Sequence, residues 1–118
     1  MDSFTVKDFF RKYYQPSLIS IAMQFLLIAH DGTDADARNR RAKVRPEHLR
    51  KIKALKDNGE FLFGGAILDN SGNMIGSMIL YEMPDRETLD DRLKDEPYVY
   101  AGVWKKIEIV PFRLAPIE

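Results

Sequence analysis

Cysteine is absent from all 118 residues, which excludes disulfides, thiolate metal sites and a cysteine nucleophile. That usage suits a reducing cytoplasm, where we place the protein. Histidine occurs twice and never in a ligand spacing such as H-E-x-x-H, so no metal is expected. There is no glycine-rich phosphate loop and no G-x-S-x-G elbow, and no cofactor is called for. Net charge is missing as well: eighteen basic and eighteen acidic residues cancel. No global field therefore draws the chain toward nucleic acid or an anionic membrane. The apolar stretch Ser17–Ala29 falls short of the roughly 20 residues a membrane span needs. His30-Asp31-Gly32 follows it, not a small-residue cleavage site, so it reads as a connector running into a buried strand.

What is present describes a globular domain. Hydrophobic residues make up 45% and charged residues 31%, and the length suits one domain. Folding at this size buries roughly 65% of the unfolded surface. Residues 1–22 form an N-terminal extension, 23–114 the domain and 115–118 a tail. Val6, Phe9, Phe10, Tyr13 and Tyr14 recur at helical intervals, predicting a short amphipathic helix over residues 1–14 that ends before Pro16.

Gln24–His30 reads as a first strand, apolar on both alternating sets. The Asp31-Gly32-Thr33-Asp34 cluster breaks it and can cap a helix, which runs to about Asn58 with an interruption near Arg45-Pro46 and a stop at Gly59. Glu60–Leu68 and Met74–Met83 are strands joined by the polar turn Asp69–Asn73. A second helix covers about Asp85–Lys94, a loop runs from Asp95 to Val103, and a last strand spans Trp104–Phe112. This βαββαβ order is that of a ferredoxin-like α+β fold, a four-stranded antiparallel sheet with both helices on one face. The first three strands carry large apolar side chains on both faces, and two helices shelter only one. Leaving the other wet would forfeit many kcal/mol at roughly 25 cal/mol per Å², so a second subunit or the N-terminal helix must cover it. A homodimer is the reading adopted.

Val44-Arg45-Pro46-Glu47-His48-Leu49 with Leu55 and Gly59, then Gly65, Gly76-Ser77, Pro97-Tyr98-Val99, Ala101-Gly102-Val103 and Pro111-Phe112, form an ordered set. Over about Met23–Leu114 it resembles the YCII-related (YciI-like) family. The resemblance implies a ferredoxin-like fold whose sheets pair face to face as a dimeric α+β barrel. It also implies a site built from the helix histidine and the acidic residue before the tail proline. Two positions depart from the family pattern. Ala66 stands where a proline commonly follows the glycine, and Glu96 holds the usual aspartate position, with Asp95 one residue earlier.

The candidate chemistry centres on His48. On a helix it shares a sector with Ile52 and Leu55 and so points toward the sheet. In a first turn after Pro46 the helix dipole would favour a neutral imidazole, a usable general base near pH 7 that a carboxylate, Glu96 or Asp95, would orient. The competing reading is a half-buried histidine hydrogen-bonded for packing. Arg45 offers a fork of donors to a carboxylate-bearing ligand, or else makes a surface ion pair. His30, ending the first strand, and Tyr98 are further candidates for lining a cleft, although aromatics such as Tyr98 more often join a core. From Arg38 to Lys56 nine basic residues face one acid, Glu47. Without interleaved aromatics the run reads as a solvated helix face rather than a nucleic-acid surface. The function expected is acid–base chemistry on a small anionic organic metabolite. The resemblance extends to lactone isomerases and a chloromuconolactone dehalogenase. The alternative is a non-catalytic ligand-binding or accessory dimer.

Overall fold

The structure is a computed structural model that describes residues 22–117; the helix expected over residues 1–14 lies outside them. Strand β1 spans Met23–Asp31 and helix α1 Ala37–Asp57; strands β2 and β3 span Phe61–Leu68 and Met74–Met83. Helix α2 covers Arg86–Lys94, a short α3 Pro97–Tyr100, and β4 Trp104–Phe112. The four strands form one sheet in the order β2-β3-β1-β4, antiparallel throughout. This is the ferredoxin-like α+β arrangement that the alternation predicts.

Local chemistry explains most boundaries. Gly59 has φ +78°, its N–H bonds the carbonyl of Lys56, and the N–H of Glu60 bonds that of Leu55. That double closure terminates α1 in a left-handed position suited to glycine. Asp69 accepts from the backbone N–H groups of Ser71 and Asn73 at 2.8 and 2.9 Å, which knits the β2–β3 turn. Asp85 caps α2 by accepting from Thr88 N at 2.7 Å.

Three expectations need correcting. α1 is continuous through Pro46, although proline removes the N–H that the Ala42 carbonyl would accept. Side chains anchor the helix to the sheet on both sides of that point: Arg41 bonds Asp31, while Ile52 and Leu55 pack on the core. Tertiary contacts thus override the local break. Asp36 is the N-cap and makes no side-chain cap bond; Asp34 binds Arg40 instead. The expected loop at Asp95–Val103 contains α3, with Pro97 in its first turn, where a missing N–H costs nothing.

The core lies between the sheet and the helices. Phe25, Leu27 and Ala29 of β1, Ile79, Tyr81 and Met83 of β3, and Leu89, Tyr98, Val103 and Trp104 are buried there. The opposite face carries Leu26 paired with Leu80 and Val110, Ile28 paired with Met78, and Phe63 paired with Leu80. Phe63 and Met78 remain about two-fifths exposed, at 41% and 38%. No helix among the described residues is long and apolar enough to cross a membrane.

Candidate functional site

His48 sits on the sheet-facing side of α1 and is 8% exposed. Its Nδ1 lies 2.6 Å from Oε2 of Glu96, a side chain that is itself 4% exposed. The same Oε2 accepts the backbone N–H of Tyr98 at 2.9 Å, because Glu96 is the N-cap of α3. The carboxylate is therefore held by the fold before it meets the imidazole. An ionised carboxylate only accepts hydrogen bonds, so Nδ1 is the donor of this pair, and in the neutral imidazole the free lone pair is then the one on Nε2. His48 lies about three turns into α1, not in a first turn. The helix dipole consequently gives no ground for a neutral ring; what the Glu96 contact fixes is the ring's orientation and which nitrogen donates.

Around this pair the packing is aromatic. The Tyr98 ring stacks on the imidazole at 3.9 Å between centroids and 11° between planes, and Trp104 meets both rings edge-on. The Arg41 guanidinium lies over the other side of Tyr98, 4.7 Å from its centroid. Burial pushes the Tyr98 phenol upward, opposed by the positive charges of Arg41 and Arg45. Burial, with the nearby charge of Glu96, likewise raises the Tyr81 phenol. Both rings stay neutral at physiological pH.

Arg41, counted in the sequence as part of a solvated basic face, is buried at 4% exposure. Its Nη1 donates to both oxygens of Asp31 at 3.0 Å and its Nη2 donates to Ser77 Oγ at 3.0 Å. Trp104 Nε1 donates to the same hydroxyl at 3.1 Å. This network joins β1, β3, β4 and α1 beside the histidine. The sequence held a signal for it. Arg41 falls seven residues before His48 on the apolar stripe, and Asp31 continues the inward set of Phe25, Leu27 and Ala29.

A cleft of about 80 Å³ opens between α1 and β2, lined by Arg41, Arg45, His48, Gly64, Ser77 and Tyr98 among others. Gly64 in its sheet wall leaves no room for a side chain: a Cβ there would come within 2.7 Å of the Met78 carbonyl and 2.9 Å of Ile79. Of the sequence candidates, His48, Tyr98 and Arg45 line this cleft, with Glu96 behind the imidazole on its Nδ1 side. Asp95 does not; it is exposed, one residue before the inward-turned Glu96. Nor does His30, which alternates onto the other face of β1 and is exposed. Among the described residues no three His, Cys, Asp or Glu side chains converge as a metal ion would need.

Comparison with known proteins agrees with this architecture. Residues 23–113 match the YCII-related domain. The chain is 31% identical over 97 residues to protein YciI of Escherichia coli O6:H1, covering 77% of this chain and 97% of that protein. An uncharacterised protein of Haemophilus influenzae is 27% identical with the same coverage. Among solved structures, the 5-chloro-2-hydroxyhydroquinone dehydrochlorinase of Burkholderia phenoliruptrix, in complex with 2,5-dihydroxybenzoquinone, superposes with a TM-score of 0.68. It is 19% identical, covering 79% of this chain and 96% of that one. A dimeric ferredoxin-like protein from an uncultured marine organism gives 0.52 at 10% identity, covering 84% and 95%. The chain belongs to the YCII-related family.

Proposed function

We propose that this protein is a small-molecule enzyme in which His48, oriented by Glu96, performs acid–base chemistry on an anionic organic compound. The observation that carries the reading is the 2.6 Å contact with a buried, capped carboxylate made by Nδ1 of a histidine that lines an open cleft. The arrangement fits a general base at Nε2, with the carboxylate stabilising the imidazolium that forms. Arg45 at the cleft wall anchors the acidic group of the ligand. By analogy with the dehydrochlorinase of the same fold, the reaction class is proton abstraction beside a carbonyl or enol followed by elimination. The C–H bond breaks and its proton passes to Nε2. The electron pair forms the new double bond, and the halide leaves with both electrons of its bond to carbon. A lactone isomerase would use the same first step, returning the proton to another atom.

The test is a chloride-release and absorbance assay on chlorinated hydroxyquinols and lactone acids, alongside imidazole ¹⁵N spectra. His48→Gln and Glu96→Gln are expected to lower turnover by at least roughly a hundredfold, the lower end of general-base contributions. An unchanged rate in His48→Gln removes the catalytic role. The close stacking of Tyr98 on the ring favours one second reading, a binding protein in which His48 closes the pocket. A wild-type protein inert to the whole panel, yet binding its members, would favour that reading.

We also propose that the exposed sheet face, with Leu26, Ile28, Phe63 and Met78, is covered by a second copy of the chain. Each such side chain gains about 1.5–3 kcal/mol on full burial. Light scattering at micromolar concentration is expected to give a dimer, and a strict monomer would contradict this.

A further inference from the structure

The cleft at His48 does not end at Arg45. Arg41 and Arg45 also line a neighbouring groove of about 470 Å³ with Arg38 and Asn39 of α1 and with Gly72–Met74 of the β2–β3 turn. The space beside the imidazole suits only the reacting end of a ligand; the groove leaves room for the remainder. Residues 38, 41 and 45 fall within about 60° of one another around the helix, so they form one row facing the turn.

The pairing of the arginines marks this row. Of the eight in the described residues, Arg40, Arg41, Arg50, Arg86 and Arg92 each hold a carboxylate. Arg38, Arg45 and Arg113 have no such partner among the described residues, and two of those three stand in this groove. Asp31 cancels the charge of Arg41. Asp69 lies close enough for Arg38 to help lower its carboxyl, but its oxygens are engaged by Ser71 and Asn73. The groove therefore offers two guanidinium groups suited to bidentate capture of carboxylate or phosphate oxygens.

We propose that the ligand is an elongated organic dianion, with one acidic group held by Arg45 at the cleft and a second held by Arg38 in the groove. Seven residues of helix separate the two arginines by about 10 Å along the axis, so the acidic groups lie roughly 6–10 Å apart. A six- to eight-carbon dicarboxylate, or a ring acid bearing an acidic side arm, has that span. The inference rests on the cleft at His48 being a ligand site, and it names the class of compound that site takes.

Calorimetric titration of the full chain with hexanoate, succinate, adipate and suberate tests it, with the indole N–H signal of Trp104 reporting where they bind. Adipate or suberate is expected to bind at least tenfold more tightly than hexanoate or succinate. Arg38→Gln is expected to erase that advantage while leaving hexanoate unchanged, and Arg45→Gln to weaken both. Equal affinities overturn the proposal, as does a preference that survives Arg38→Gln. Failure of every dicarboxylate to bind up to about 10 mM does the same, and so does a short single-stranded oligonucleotide that outcompetes adipate. His48→Gln keeps the chain-length preference if the groove is assigned correctly. The acid–base reading, which stands on turnover, can therefore fail while this one holds.

Discussion

Arg41→Met removes the cation from a pair whose side chains are 5% and 4% exposed. The methionine fills much of the volume of the arginine stem. What it cannot replace is the bonding: both oxygens of Asp31 lose their donor, and Ser77 Oγ keeps only Trp104. Breaking a buried pair from one side leaves an uncompensated charge and costs about 3–5 kcal/mol. At roughly 4–8 °C per kcal/mol for a domain of this size, that lowers Tm by roughly 12–40 °C. Urea unfolding followed by the fluorescence of Trp104, the single tryptophan, measures the loss directly, since its indole bonds the same serine. The double variant Asp31→Leu, Arg41→Met deletes both charges and is expected to recover most of the stability. A single-variant cost below about 1 kcal/mol, the range of an exposed pair, would show that the network is solvated and the reasoning wrong.

The glycines give a paired prediction. A Cβ at Gly76 would press on the Ala29 carbonyl across the β1–β3 ladder, whereas one at Gly65 meets nothing within 4 Å. Gly76→Ala is expected to cost about 3 kcal/mol, the upper end of overpacking because the obstacle is backbone, and Gly65→Ala to stay within about 0.5 kcal/mol of the parent; similar urea midpoints for the two would contradict the packing. Acid lability follows from three carboxyls. The Arg40 guanidinium holds Asp34 down to about 2 from 3.8, and hydrogen bonds from Asn73 and Thr88 lower Asp69 and Asp85. A folded pKa below the unfolded one gives stability that is complete above pH 3.8 and is lost as pH falls through the folded value. Urea midpoints are therefore expected to decline between about pH 4 and 2, less steeply in Asp34→Asn; an identical slope in that variant would refute the assignment.

Much of the fold was legible because its signals are local. The period-2 apolar runs, Gly59 as a helix stop and the Asp69–Asn73 turn each act within a few residues, and they placed the strands nearly where they lie. The sector shared by His48, Ile52 and Leu55 likewise put the imidazole on the inward face. What escaped depends on contacts far apart in the chain. The continuity of α1 through Pro46 rests on anchors from Asp31 and the sheet. The burial of Arg41 rests on Asp31, Ser77 and Trp104, three strands that converge only after folding. Glu96 and Asp95 are equivalent by charge, and capping separates them. A residue before a helix-opening proline turns its side chain back onto the helix N–H groups, so Glu96 points inward and Asp95 remains in solvent.

Because the same groups hold the fold and shape the cleft, substitution at the site mixes stability with chemistry, and the choice of replacement decides what is learned. Glu96→Ala would remove the cap of α3 and the partner of His48 together, so a dead variant would say little. Glu96→Gln separates the two roles. Its amide oxygen can still accept the Tyr98 N–H, a contact now 2.9 Å long, so α3 keeps its start and the aromatic stack its seat. A neutral amide cannot stabilise an imidazolium as a carboxylate does. If the pair does proton chemistry, Glu96→Gln unfolds close to the parent's urea midpoint while turnover falls. If Glu96 only caps, the midpoint and the turnover both stay where they were, because nothing the cap requires has been removed.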